Sequence, residues 1–397
     1  MKRNVLEQVA READATKRSR STHRIIGLGV GVTLLLGVGA GAAFALGIVP
    51  TSSDDVTPSS AAAASASPTP TPEPTPTPPP VDYEVTAGQP ASRLGLDCET
   101  LVDPAVIESL FTSAVAATDP LVTASEIGAS IPRRTSILSV GGTVCEWSNG
   151  EANNDQYGTS DTYVGVAVSV MPRPAEGWSD RAVSLLDVGD YSTCDDFGCR
   201  SSAEVGDAWV TVEAFGGESK ALIPGHWQPL VDAVAEAVSS AGPATEYIAP
   251  DRAGAPFPET CESMMPLDVV ASIAGTSVEP TGGGGWSEWA EARLQARNFS
   301  CGWTEEGGVG RGGALNISWV RDGRWAFDRM LLAGTTSPVE LTGLRSSDAA
   351  VIRCFDTTSE TYCGVDLRVG QDWLNVTASG RDQTIRYAEA LLAQLAS

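Results

Sequence analysis

The residues of this chain most suited to chemistry are eight cysteines, arranged as two sets of four in the same order. Cysteines at such positions could form disulfides or hold a metal ion. A zinc site favours Cys-x-x-Cys spacing and usually histidine, and neither occurs here. The first set is Cys98, Cys145, Cys194 and Cys199, and the second is Cys261, Cys301, Cys354 and Cys363. We therefore expect disulfides and no metal site.

Four cysteines in each set allow three pairings. The last two cysteines of each set enclose four and eight residues, a spacing that can staple a β-hairpin. The first two would close a loop of about 40 residues and tie an opening helix to a strand. The pairing that we expect is Cys98–Cys145, Cys194–Cys199, Cys261–Cys301 and Cys354–Cys363.

Catalytic patterns are scarce, and we predict no catalytic or cofactor-binding residue. The only histidine beyond position 23 is His226, so a Ser-His-Asp site would depend on that residue alone. Glu99 and Glu262 each follow the first cysteine of a set. A structural role at a helix start is favoured for them over contact with a ligand. The glycine-rich stretches 282–285 and 307–313 lack the Lys-Ser/Thr ending of a phosphate loop.

The elements that position the cysteines also occur twice. The run Cys199, Val205-Gly206, Trp209 and Val212 returns 164 positions later, from Cys363 to Val376. Each set contains an opening amphipathic helix, a strand with Cys-x-Trp, alternating apolar strands and a closing helix. The order α-β-β-α-β-β-α predicts an α+β fold, with an antiparallel sheet packed by helices in each of two tandem copies. The tryptophans at the repeated positions are expected to pack in the core beside the disulfides. They are Trp147, Trp209, Trp303 and Trp373.

The segment 25–49 is an apolar run whose only polar residue is Thr33, long enough to cross a bilayer as a helix. The basic residues of segment 1–24 predict that this segment lies in the cytoplasm and that the bulk of the chain lies outside the cell membrane. The sequence Ala43-Phe44-Ala45 also fits a cleavable signal peptide. We favour a retained, single-pass signal anchor, and the alternative of cleavage stays open.

Segment 50–90 is rich in Ser, Thr and Pro, and we predict a disordered stalk with a polyproline II spacer of about 40 Å. Domain copy 1 is assigned to residues 91–242, a linker to 243–255 and domain copy 2 to 256–397. The net charge of the chain is −24, and seven of its 26 Lys and Arg residues lie in the first 24 positions. A body this acidic repels phosphate backbones, which argues against a nucleic-acid partner.

The chain resembles actinobacterial cell-envelope domains of unknown function, many of which occur in predicted lipoproteins. The resemblance rests on Cys-Glu-Thr/Ser at positions 98–100 and 261–263, on Cys-x-Trp at 145–147 and 301–303, and on Val-Gly-x-x-Trp at 205–209 and 369–373. It covers both copies and implies an envelope location. It supplies no catalytic residues, and a spanning helix here replaces the lipid-attached cysteine.

From these features we predict a membrane-anchored extracytoplasmic binding or interaction protein, not an enzyme, with an unknown ligand or envelope protein as its partner. One alternative is a sensor subunit that works with a separate cytoplasmic partner. Another is a hydrolase of envelope polysaccharide that uses two carboxylates. Functional residues are expected where the copies diverge, in the loops around 148–161, 189–198, 276–290 and 304–313.

Overall fold

A computed structural model describes residues 88–124, 130–151, 162–173, 191–194, 198–216, 222–223, 225–249, 258, 260–281, 288–306, 314–356 and 361–396. All of these described residues belong to one compact unit. Within these ranges, no helix has both the length and the apolar composition that crossing a bilayer requires. The predicted membrane segment, 25–49, and nearly all of the predicted stalk lie outside the described residues.

The N-terminal half forms a six-stranded sheet in which every pairing is antiparallel, in the order β1-β2-β3-β6-β5-β4. Its described elements are α1 (Cys98–Leu101), α2 (Pro104–Leu110), β1 (Ala116–Thr118), α3 (Pro120–Thr123), α4 (Ser130–Ser139), β2 (Thr143–Ser148), β3 (Val164–Pro172), β4 (Tyr191–Cys194), β5 (Gly198–Val205), β6 (Ala208–Gly216) and α5 (Trp227–Ser240).

The C-terminal half forms a seven-stranded antiparallel sheet in the order β7-β8-β9-β13-β12-β11-β10. Its described elements are α6 (Cys261–Met264), α7 (Leu267–Ala274), β7 (Val278–Pro280), α8 (Glu288–Ala296), β8 (Phe299–Glu305), β9 (Leu315–Val320), α9 (Arg324–Met330), a 3-10 turn (Leu331–Ala333), β10 (Ser337–Pro338), β11 (Ala349–Asp356), β12 (Thr361–Val369), β13 (Asp372–Ser379) and α10 (Arg381–Leu395). The first six strands follow the order of the N-terminal sheet, and β10 is an additional edge strand. The predicted α+β class with antiparallel sheets is thus confirmed.

One face of each sheet packs against helices of its own half, and we call it the core face. In the N-terminal half, alternate residues of β3 such as Val166 and Val168 point into a core that α5 closes with Leu230 and Val234. In the C-terminal half, Val365 and Val376 meet α10 in the same way. Side chains alternate across a strand, so the residues between these valines lie on the opposite face. We call that opposite face the second face.

The short helices α1 and α6 begin with matching capping boxes. Asp97 accepts a hydrogen bond from the amide of Thr100, whose side chain in turn binds the amide of Asp97. Thr260 and Ser263 repeat this exchange at α6. A helix of four residues has little stability alone, so the cap and the adjoining disulfide hold it in place.

Helices α4 and α8 precede the Cys-x-Trp strands β2 and β8, where the predicted order α-β-β-α-β-β-α has no further helix. Both helices lie between the two sheets, and their apolar residues fill a third hydrophobic core. That core also contains Met171 and Val320, which occupy matching positions on β3 and β9. It joins the halves, with main contributions from Leu121, Ile137, Val144, Ala292, Trp325, Phe327, Met330 and Trp373.

Candidate functional site

The structure brings the eight cysteines together as four disulfides of two kinds. One kind links a short helix to the Cys-x-Trp strand, with Cα–Cα distances of 5.5 Å in both halves. The other kind links residues that face each other on neighbouring strands, with Cα–Cα distances of 4.0 and 4.1 Å. The helix–strand disulfides are Cys98–Cys145 and Cys261–Cys301, and the cross-strand disulfides are Cys194–Cys199 and Cys354–Cys363.

The four tryptophans at the repeated strand positions are buried and divide between the two faces of the sheets. Trp147 and Trp303 pack in the core with Cys145 and Cys301, as expected. Trp209 and Trp373 lie on the second faces, where their indole N–H groups donate to side chains. Burial of all four rings assigns them to packing.

Glu99 and Glu262 are exposed, two residues after the caps that start α1 and α6. The capping bonds come from Asp97 and Thr260, so the expected capping role belongs to the residues two positions earlier. Glu262 accepts a hydrogen bond of 3.2 Å from the amide of Leu267 at the start of α7. His226 is exposed before α5, and its Nδ1 lies 2.7 Å from a backbone carbonyl, that of Ser109.

The second face of the N-terminal sheet contains a buried ion pair. Glu146 on β2 is 1% exposed, and its carboxylate accepts a hydrogen bond of 2.6 Å from Arg134 of α4. Thr118 on β1 donates to the other carboxylate oxygen, at 3.2 Å. A charge buried this deeply requires such partners, because desolvation would otherwise destabilise the fold by several kcal/mol.

Glu213 on β6 lies in the same row of this face, because Glu146 and Glu213 both pair with Ala167 on β3. Two strand spacings place their backbones about 10 Å apart. Glu213 is half-buried and forms a 2.9 Å ion pair with the exposed Arg200 of β5. This row thus carries two carboxylates, each bound to an arginine.

The second face of the C-terminal sheet contains a different buried network, centred on Asp366 of β12. This carboxylate, 0% exposed, accepts hydrogen bonds from Arg353, from the indole of Trp373 at 2.9 Å and from Asn375 at 2.8 Å. Burial lowers the pKa of the Arg353 guanidinium, and the nearby Asp366 opposes that shift. Thr377 extends the network by donating to Asn375 at 3.0 Å.

The border of this second face is accessible. Asn316 on β9 is exposed and pairs with Thr377 across the ladder. At the end of the sheet, the rings of Phe355 and Tyr362 stack with their centroids 5.9 Å apart and an interplanar angle of 20°. Both rings are only half-buried. Amides, hydroxyls and aromatic faces of this kind suit contact with a polar partner.

Polar contacts reinforce the apolar core between the halves. Asp119, which caps α3, forms a buried ion pair with Arg329 of α9. The ring of Trp289 lies between two guanidinium groups, those of Arg133 and Arg293, at 4.8 and 5.1 Å from the ring centroid. Arg133 belongs to the N-terminal half and Arg293 to the C-terminal half, so the tryptophan helps to join them.

A small cavity lies at the same boundary, between α4 and the β8–β9 pair. Its volume is about 10 Å³, the space of about one water molecule. Its polar lining includes Ser136, Asn298, Ser300 and Ser318, and the amide of Asn298 donates to the hydroxyl of Ser136 at 3.2 Å. The cavity therefore suits a bridging water in an interface better than an organic ligand.

Sequence reasoning missed the two buried ion pairs on the second faces. A signal was present, because Glu146 and Asp366 interrupt strands whose neighbouring residues are apolar. Of the four loops predicted to carry function, most residues lie outside the described ranges. In the part of the chain that is described, no group of three or more His, Cys, Asp or Glu residues could hold a metal ion.

Known protein families, curated proteins and solved structures were each compared with this chain, and none of them matches it. Functional assignment therefore rests on the geometry of the second faces and of the boundary between the halves.

Proposed function

We propose that this chain is a membrane-anchored binding protein of a bacterial cell envelope, of the actinobacterial kind, that presents two copies of one domain outside the membrane. Residues 25–49 would form the anchor and residues 50–90 the stalk. The partner would be an envelope polymer or an envelope protein. The accessible residues at the border of the C-terminal second face, Asn316, Phe355 and Tyr362, would make the contact.

The sequence supports the location. An apolar run of 25 residues behind a basic segment is typical of a signal anchor. The alternating Pro-Thr tract that follows would hold the domains about 40 Å from the bilayer. Four disulfides in one chain are typical of compartments outside the cytoplasm, where thiols are oxidised.

One observation carries the proposal, namely the core that the two halves share. Trp325, Phe327 and Leu121 are at most 4% exposed in that core. The buried Asp119–Arg329 pair adds a contact that requires a fixed geometry. Sheets joined in this way hold the accessible residues at the borders of their second faces in fixed relative positions, which reduces the entropy lost when a partner binds.

Binding to envelope material tests this proposal. The purified 397-residue chain would be mixed with isolated cell walls, sedimented, and quantified in the pellet. We expect retention of the native chain and at least a fivefold loss for Asn316→Ala combined with Tyr362→Ala. The matched control, Glu236→Ala on the exposed side of α5, should be retained like the native chain. Equal retention of all variants, or no binding to wall or membrane fractions, would contradict the proposal.

Protease accessibility in intact cells tests the proposed orientation in the membrane, and intact mass tests whether the anchor is retained. An epitope at the N-terminus should resist protease in intact cells, whereas residues 91–397 should be digested. Intact mass then distinguishes a retained anchor from cleavage after Ala45, because cleavage removes 45 residues. Digestion of the N-terminal epitope in intact cells would reverse the proposed orientation.

A carboxylate hydrolase is the second candidate, because a glycosidase requires two carboxylates and Glu146 and Glu213 share one row of a sheet. Both carboxylates are held by arginines, and Glu146 is enclosed, which favours a structural role for the pair. Release of soluble sugar from wall polysaccharide by the native chain, lost in Glu213→Gln, would establish the hydrolase in place of the binding protein.

A further inference from the structure

The two cross-strand disulfides occupy the same place in both halves. Cys194 pairs directly with Cys199 across β4 and β5, and Cys354 pairs with Cys363 across β11 and β12. Cys194 is the last residue of β4, and Cys354 lies two residues before the end of β11. The short separations of 5 and 9 residues leave only a hairpin between the two sulfurs.

Exposure separates these disulfides from the helix–strand disulfides. Cys194 and Cys354 are exposed, whereas their partners, Cys199 and Cys363, are buried. Neither member of a helix–strand disulfide is exposed, since one cysteine is buried and the other half-buried. A thiolate from solution can therefore approach one end of each cross-strand disulfide. The half-buried members of the helix–strand disulfides are Cys98 and Cys261, and the buried members are Cys145 and Cys301.

The sheets do not depend on the cross-strand disulfides for their register. Strands β11 and β12 pair from Ala349–Arg368 to Asp356–Thr361, and β12 also pairs with β13 along its length. Opening the bond between Cys354 and Cys363 would leave these ladders intact. The helix–strand disulfides instead hold α1 and α6, each only four residues long, against the sheets.

We propose that the two cross-strand disulfides are sites of thiol–disulfide exchange with an external dithiol, and that the two helix–strand disulfides are structural. The partner class is a dithiol such as the active-site pair of an envelope oxidoreductase. This inference goes beyond the binding function and does not require it.

The exchange proceeds in two balanced steps. A thiolate of the dithiol attacks Sγ of Cys354, a mixed disulfide forms, and Cys363 leaves as a thiolate that takes a proton. The second thiol of the dithiol, as a thiolate, then attacks the dithiol's other sulfur, which is bonded to Cys354 in the mixed disulfide. A disulfide forms within the dithiol, and Cys354 leaves as a thiolate that takes a proton. The protein disulfide gains two electrons and two protons, and the dithiol becomes a disulfide. The pair Cys194 and Cys199 reacts in the same way.

Reduction of the native chain by dithiothreitol under non-denaturing conditions tests the inference. New thiols would be alkylated at successive times, and each cysteine peptide would be quantified by mass spectrometry. We expect both cross-strand disulfides to be reduced at least fivefold faster than both helix–strand disulfides, with an unchanged far-UV circular dichroism spectrum. A smaller rate ratio, or reduction of the cross-strand disulfides only after denaturation, would overturn the inference.

A pair of single-thiol variants provides an independent readout. Cys363→Ser leaves Cys354 as a lone thiol, and the matched Cys301→Ser leaves Cys261. With oxidised glutathione, Cys354 should form its mixed disulfide at least fivefold faster than Cys261. Equal rates in two folded variants would also overturn the inference.

Discussion

The two halves of this protein agree on their core faces and differ on their second faces. Both have the same disulfide positions and the same buried tryptophans. On the second face, the N-terminal half places its buried carboxylate at Glu146 on β2, where the C-terminal half has Gly302. The C-terminal half places its carboxylate at Asp366 on β12, where the N-terminal half has Ser202.

The tryptophan contacts show how one scaffold accommodates both arrangements. Trp209 donates its indole N–H to Ser202 at 2.7 Å, and Trp373 donates at 2.9 Å to Asp366. The donor and its position are the same, but the acceptor is neutral in one half and charged in the other. A charged acceptor requires an arginine, and Arg353 occupies the position that corresponds to Thr193. Polar residues on the second faces therefore differ between the two halves in linked sets.

The largest expected effect tests that linkage. Asp366→Ser introduces the residue of the N-terminal half but leaves Arg353 buried without its carboxylate. We expect the free energy of unfolding to fall by about 3–5 kcal/mol, measured by urea denaturation. The double variant Arg353→Thr with Asp366→Ser removes both charges, and should lose less than half as much.

Ser202→Ala is the matched control in the other half. It removes the acceptor of the Trp209 indole and a 3.2 Å hydrogen bond with the hydroxyl of Thr211, both between neutral groups, so a loss of about 1–2 kcal/mol is expected. If Asp366→Ser destabilised the protein no more than Ser202→Ala, Arg353 would not depend on Asp366. That result would contradict the claim that the charged acceptor and the arginine occur as a linked set.

The next largest effect compares the two kinds of disulfide. Replacing both cysteines of Cys98–Cys145, which are separated by 47 residues, should cost about 4 kcal/mol in the loop-entropy model. Replacing Cys194–Cys199, separated by 5, should cost about 2 kcal/mol. Differential scanning calorimetry of the two double-alanine variants checks this order. A larger loss for the cross-strand pair would contradict the division into structural and exchangeable disulfides.

A smaller effect concerns the backbone just before the Cys-x-Trp strands. Gly141 and Arg297 each lie four residues before the strand cysteine, and both have positive φ, at 71° and 56°. Only glycine adopts this conformation without steric cost, which for other residues is about 1–2 kcal/mol. Arg297→Gly should therefore raise the free energy of unfolding by up to about 1 kcal/mol. The reverse change, Gly141→Ala, should destabilise, because its Cβ would lie 2.8 Å from the carbonyl oxygen of Ala91.

The smallest expected effect is a dependence of stability on alkaline pH. Burial raises the pKa of Tyr247, at the boundary between the halves, and of Tyr387, in the C-terminal core. A raised pKa in the folded state gives a contribution that is complete below the ordinary tyrosine value of about 10 and is lost as pH rises through the folded value. Stability should fall above about pH 10, and less steeply in Tyr247→Phe and Tyr387→Phe. An unchanged slope in both variants would show that neither tyrosine contributes.

Much of the fold follows from local sequence patterns. Alternating valines predict the central strands, and the repeated cysteine and tryptophan positions predict that the two halves have similar sheets. The helices α4 and α8 could not be predicted in this way. Their polar residues are covered only in the folded protein: Arg133 and Ser136 contact the other half, and Arg134 pairs with Glu146 of its own sheet. In the sequence alone these residues look like a solvated surface.

The candidate site was less predictable for a related reason. Glu146 and Arg134 are 12 positions apart, and Asp119 and Arg329 are 210 apart, so only the folded chain shows that they are partners. The loops that the sequence favours as functional lie mostly outside the described residues, and the prediction about them stands untested.

Native-state hydrogen exchange tests the central claim, that the shared core joins the two halves into one rigid unit. The slowest-exchanging amides of β3 and β6 report on the N-terminal sheet, and those of β12 and β13 report on the C-terminal sheet. If the halves unfold together, both sets should give the same opening free energy to within about 1 kcal/mol. A difference of more than about 2 kcal/mol would mean that one half opens while the other stays folded, and would contradict the claim.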